Sequence, residues 1–127
     1  MNVVSNARVI FKWLAWAFAV GIVIQVLFAG LALFDDEKHW ADHTRFADYI
    51  SIVPVLMLVM AFIARLPGAL RAQTGMLVGM IILLAWSAMF SSAIGWLASL
   101  HPVIALLLFF RTMAVIRQTV ELSKLDH

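Results

Sequence analysis

WLAWAFAVGIVIQVLFAGLALF, residues 13–34, carries no charged side chain over 22 positions. As a helix this stretch is about 33 Å long, enough to cross the roughly 30 Å hydrocarbon core of a bilayer. It is too long for the apolar core of a signal peptide, and no small-x-small site follows it. It therefore reads as a first membrane span, Trp13–Phe34, behind a polar lead holding Arg8 and Lys12.

The rest of the chain repeats this pattern. Of 127 residues, 65% are hydrophobic and 13% charged. A soluble domain averages about 45–50% apolar and about 25% charged, so this chain could not coat itself for water. Asp35–Asp48 is the one strongly polar internal segment, with Asp35, Asp36, Glu37, Asp42 and Asp48 against Lys38 and Arg45. A second span follows over 46–64 and stops at Arg65-Leu66-Pro67-Gly68, because Pro and Gly break helices. A third span is expected over 75–100. His101-Pro102 punctuates the chain, and Pro102 suits the first turn of a fourth span, 102–120. The expected fold is all-α: a four-helix, up-down-up-down membrane bundle forming one domain over 1–127. A three-span alternative would end the membrane region at Arg111 and lay 112–125 in the interface.

Charge sets the expected orientation. Arg8, Lys12, Arg65, Arg71, Arg117 and Lys124 share one side and the acidic segment the other. Lys and Arg mark the cytoplasmic side, so both termini are expected inside. Trp13 and Trp16 would sit near the inner interface, Trp40 and Trp96 near the outer one. The expected setting is a bacterial cytoplasmic membrane, multi-pass, with the lipid bilayer as first partner and a homo-oligomer or larger membrane complex as the next. A net charge of +2, dispersed along the chain, gives no reason to expect nucleic acid. Without Cys there is no disulfide, thiolate ligand or Cys nucleophile.

Small residues recur at four-residue spacing: Gly75, Gly79, Ser87, Ser91, Gly95 and Ser99 in span three, and Ala17, Gly21, Gln25 and Ala29 in span one. Such stripes let helix backbones approach within lipid. Polar residues inside spans are costlier and more informative. Arg111 lies nine residues beyond Pro102, near mid-bilayer, where a cation costs at least about 2.5–3.5 kcal/mol. Gln25, Ser91 and Ser92 are expected at a similar depth, which suggests one polar layer. Pro54 deprives the Ile50 carbonyl of its helical donor. The layer reads either as an anion, quinone or proton site, or as a snorkelling Arg with Gln25 holding helices together.

The histidines give the sharper chemistry. His127 is terminal and is given no role. His39 and His43 share a helical face. His43 opens span two and His101 opens span four, so the pair lies at matched depth on helices that sit diagonally in the bundle. One imidazole from each could hold a haem b, and bundle cores are frequent cofactor sites. Gly30 and Gly95 would flank the macrocycle, and Arg45 or Lys38 could meet its propionates. A competing metal site would use His39, His43 and His101 with Asp35, Asp36 or Asp42. The bland reading leaves all these histidines solvated among headgroups. The Met residues read as adaptable packing. No His-Glu-x-x-His, P-loop, nucleotide fingerprint or Ser/His/Asp set occurs, so an enzyme is not expected.

The paired histidines on the second and fourth helices resemble the cytochrome b core of respiratory bc complexes. That family places its histidines deeper and has a second pair, which is missing here. Gln25-Val-Leu-Phe-Ala-Gly30-Leu and Ser99-Leu-His101-Pro102-Val-Ile-Ala105, with His43 between, resemble a group of small, uncharacterised four-span bacterial membrane proteins. That resemblance implies four spans and a site at Gln25, His43 and His101, with no activity attached. Three functions follow as expectations: electron transfer through one haem near the outer face, a non-catalytic accessory or assembly subunit, and a small oligomeric transporter using the mid-membrane layer.

Overall fold

The computed structural model describes residues 2–126; His127 and Met1 lie outside the described residues. The chain is all-helical there. Its elements are α1 (Val3–Phe34), α2 (His39–Ile50), α3 (Ile52–Ile63), α4 (Gly68–Met89), α5 (Ser91–Ile94), a 3-10 turn (Gly95–Leu100) and α6 (His101–Leu125). Four helical stretches are long and apolar enough to cross a membrane: Val3–Phe34, His39–Ile63, Gly68–Met89 and Ser91–Leu125.

The first helix begins ten residues before the expected span. The Asn2 side chain accepts from the Ser5 N–H at 2.8 Å, an N-cap that starts the helix outside the apolar run. Polar residues such as Asn6 and Arg8 do not break a helix, so it continues beyond the hydrocarbon core. On the far side the polar segment is mostly helical too. Only Asp35–Lys38 makes the turn, and α2 starts at His39. The second span is interrupted at Ser51, three residues before Pro54. The ring has no N–H for the Ile50 carbonyl, and the helix divides there into α2 and α3.

The third span starts and stops earlier than expected. Pro67 is extended (φ −53°, ψ 150°), α4 starts at Gly68, and the helix closes at Phe90. Residues 75–100 in one helix would measure about 39 Å, longer than a bilayer core. The chain instead turns through α5 and the 3-10 segment. Gly95 adopts φ 59°, ψ −126°, a region essentially reserved for Gly, which accounts for glycine at that position. At the opposite end Arg65, at φ 50°, takes the left-handed position that ends α3.

Each helix packs against its sequence neighbours, and α1 also packs against α6. Spans one and three therefore face each other across one diagonal, and spans two and four across the other. The core fills the end of the bundle carrying the basic residues and its middle, where Phe11, Phe18, Met57, Leu77, Leu108 and Val115 are fully enclosed. Buried Thr74, Thr112 and Thr119 each donate to the carbonyl four residues back at 2.8 Å, so no hydroxyl is left unsatisfied there. Gly21 is the close-approach glycine: a Cβ there would meet Cδ1 and Cγ1 of Ile50. Gly75 and Gly79 face open space, and Ser91, Gly95 and Ser99 lie beyond α4, so of the span-three stripe only Ser87 is buried in this bundle. At the acidic end the helices are more loosely covered, and neither α5 nor the 3-10 turn has a buried residue.

Candidate functional site

The acidic end contributes one polar side chain from each of the four spans to a single cluster. Gln25 on α1 and His43 on α2 clasp each other reciprocally. The Gln25 Nε2 donates to the His43 main-chain carbonyl at 2.8 Å, and His43 Nδ1 lies 3.0 Å from the Gln25 main-chain carbonyl. Across the bundle, His101 Nδ1 lies 3.0 Å from the Ser87 hydroxyl on α4. Ser87 also donates to the Leu84 carbonyl at 2.8 Å. The His43 and His101 ring centroids are 6.4 Å apart, inclined at 57°. Trp40 stands edge-on to His43 at 5.7 Å. Both imidazoles are partly buried, and neither Nε2 has a hydrogen-bond partner among the described residues.

This spacing matters chemically. An imidazole nitrogen would sit about 2.0–2.1 Å from a first-row metal and its ring centroid roughly 1.1 Å further, so two imidazoles that both held one ion would have their centroids no more than about 6.2–6.4 Å apart. The observed separation falls in that range. Each ring also has its Nδ1 within hydrogen-bond distance of a protein oxygen, the Gln25 carbonyl for His43 and the Ser87 hydroxyl for His101, and a metal-ligating histidine is commonly oriented by such a contact at its far nitrogen.

Other expected site residues are elsewhere. His39 is held between two carboxylates, with Nδ1 at 2.9 Å from Asp42 and Nε2 at 3.1 Å from Asp35. It is not joined to the His43–His101 pair, and no group of three His, Cys, Asp or Glu side chains is arranged to hold a metal among the described residues. Arg45 is exposed and two residues beyond His43, about 200° around the helix. It lines a shallow cleft with Phe28, Asp42, Phe46 and Tyr49, on a different face from the pair. Lys38 pairs with Asp36 at 3.4 Å. A Cβ at Gly30 or Gly95 would meet nothing within 4 Å, so both adjoin open space.

The four residues expected in one mid-membrane layer are not gathered. Gln25 is at the histidine level. Ser91 and Ser92 are exposed in α5, past the end of α4. Arg111 is ten residues along α6 from His101, about 15 Å toward the basic end, and is exposed without a hydrogen bond or ion pair among the described residues. The residue missed by sequence reasoning is Ser87. It lies two residues inside the end of α4 and meets the first residue of α6, and the signal for it is the end of α4 at Met89.

One further polar atom stands out. The Gln25 Oε1 is buried without a partner. A flipped amide would put two oxygens face to face at the His43 carbonyl, so this orientation is fixed by the clasp.

Residues 25–89, just over half the chain, match the family described as a family of unknown function (DUF6220), and the chain belongs to that family. The match takes in Gln25, His43 and Ser87. Neither the curated proteins nor the solved structures contain a match.

Proposed function

We propose that this four-span member of the DUF6220 family binds one b-type haem between His43 and His101 and passes electrons near the outer face of the membrane. The observation that carries the reading is the spacing of the two rings, 6.4 Å across the bundle diagonal, with each Nδ1 anchored and each Nε2 free. When bound, the iron would supply reversible one-electron chemistry. The chain's part would be to hold the two imidazoles on separate helices, at an end where neither α5 nor the 3-10 turn has a buried residue. The clustering of basic residues at the other end of the bundle supports an orientation with the termini inside and the histidines near the outer surface of a bacterial cytoplasmic membrane. The test is the visible absorption spectrum of the protein purified after expression with adequate haem supply. A Soret band, with a sharp α band on dithionite reduction, is expected. A colourless protein would refute the reading.

Arg111 favours a second reading, an accessory subunit of a membrane complex. An intramembrane Arg almost always faces a bundle interior, water or a partner. Here it is exposed on α6 without a partner among the described residues. A neighbouring helix bearing a carboxylate at that depth would satisfy it. Double substitution of His43 and His101 would leave the function of such a subunit intact, whereas it would abolish a haem protein's.

A further inference from the structure

The hydrogen-bond contacts of the two histidines constrain which ring nitrogen carries the proton. A main-chain carbonyl only accepts, so the contact between His43 Nδ1 and the Gln25 carbonyl requires a proton on Nδ1. Ser87 has a single hydroxyl hydrogen and two contacts, the Leu84 carbonyl at 2.8 Å and His101 Nδ1 at 3.0 Å. Both are hydrogen bonds at once only if the hydroxyl donates to the carbonyl and accepts from Nδ1–H. The two rings, anchored on different helices, reach the same state by independent routes. The nearby Gln25 Oε1 is a third acceptor, buried and without a donor.

We infer that these contacts lock His43 and His101 as Nδ1–H tautomers, with Ser87 a positioning residue for His101, so that the neutral pair offers two Nε2 lone pairs and takes a transition-metal centre in preference to an anion. The tautomer half stands on hydrogen-bond accounting alone, and the ligand half rests on the haem reading. No N–H of either ring is left to hold a carboxylate or phosphate. What remains is electron-pair donation, which suits a Lewis acid. Ser87 contributes by accepting from Nδ1–H, which makes His101 a stronger donor through Nε2. At His43 the accepting group is main chain, so side-chain replacement of Gln25 leaves it in place.

The experiment is nitrogen-15 NMR of histidine-labelled apoprotein in micelles, at a pH where the rings are neutral. Histidine in water favours the Nε2–H tautomer, so the expected result, Nδ1–H at both positions, is the departure from default. Ser87→Ala should release His101 from that tautomer and leave His43 unchanged, while Ser87→Thr should keep it. Haemin titration of the same proteins should show affinity weakened about 10- to 100-fold in Ser87→Ala. The ferric form should be destabilised too, moving the midpoint potential upward, with both effects restored in Ser87→Thr. Nε2–H at either histidine of the unsubstituted apoprotein would overturn the inference, even if haemin binds. Nδ1–H at both, in a protein that takes no haemin, would uphold the tautomers and refute the haem reading together with the ligand half.

Discussion

Replacing Gln25 with Leu should leave the bundle as stable as before or make it more stable. The side chain makes one interhelical bond, Nε2 to the His43 carbonyl at 2.8 Å. Interhelical hydrogen bonds in a membrane average about 0.6 kcal/mol and reach about 1.7 kcal/mol. The His43 carbonyl is not stranded by the change, because it lies within α2 and keeps its helical donor. Against this loss stands the buried Oε1 without a partner, a group whose desolvation costs about 1–3 kcal/mol. Leu removes that cost and suits its surroundings. The balance runs from about 0.7 kcal/mol of loss to about 2.4 kcal/mol of gain, with its middle on the stabilising side. Reversible unfolding in mixed micelles with rising detergent fraction, followed by circular dichroism, would read it. A loss of more than about 2 kcal/mol in the ligand-free protein would refute the reasoning, since it would mean that Oε1 has a stabilising partner.

Gly21→Val should destabilise the fold by about 1–3 kcal/mol through overpacking against Ile50, whereas Gly79→Ala, which meets nothing within 4 Å, should leave protomer stability unchanged in the same assay. Pro54→Ala should restore a donor for the Ile50 carbonyl and merge α2 with α3, seen as slowed hydrogen exchange across 50–54; unchanged exchange there would count against the proline as the cause of the break. Asp126→Asn should cost no more than about 1 kcal/mol, because its ion pair with Arg8 is half exposed; a larger loss in thermal unfolding would show that this end of the bundle depends on it.

How much of this was legible follows from what each signal measures. The spans themselves were, because charge-free runs of helical length have few other uses. Their ends were not. Val3–Lys12 and His39–Phe46 are polar yet helical, since leaving the hydrocarbon core does not oblige a helix to stop. Residues 91–100 are as apolar as a span but turn, and the decisive feature is a positive φ at Gly95 rather than a change of composition. The histidine pair was legible from depth and diagonal placement. The clasp between Gln25 and His43 was not, because it depends on how two helices are rotated about their axes. In the sequence Ser87 is indistinguishable from the other members of a small-residue stripe, because nothing in the composition marks the end of α4 at Met89 and so separates Ser87 from Ser91 and Ser92. Arg111 was expected to complete a polar layer with Gln25, and the roughly 15 Å offset along α6 separates them.

The central claim is that His43 and His101 ligate one iron from opposite sides. Electron paramagnetic resonance of the ferric protein, with near-infrared magnetic circular dichroism to identify the axial ligands, tests it most directly. A low-spin bis-imidazole centre at one haem per chain, lost in His43→Ala and in His101→Ala alike, is the predicted result. A haem whose axial ligands survive either substitution, or a protein with no iron centre at all, would contradict it.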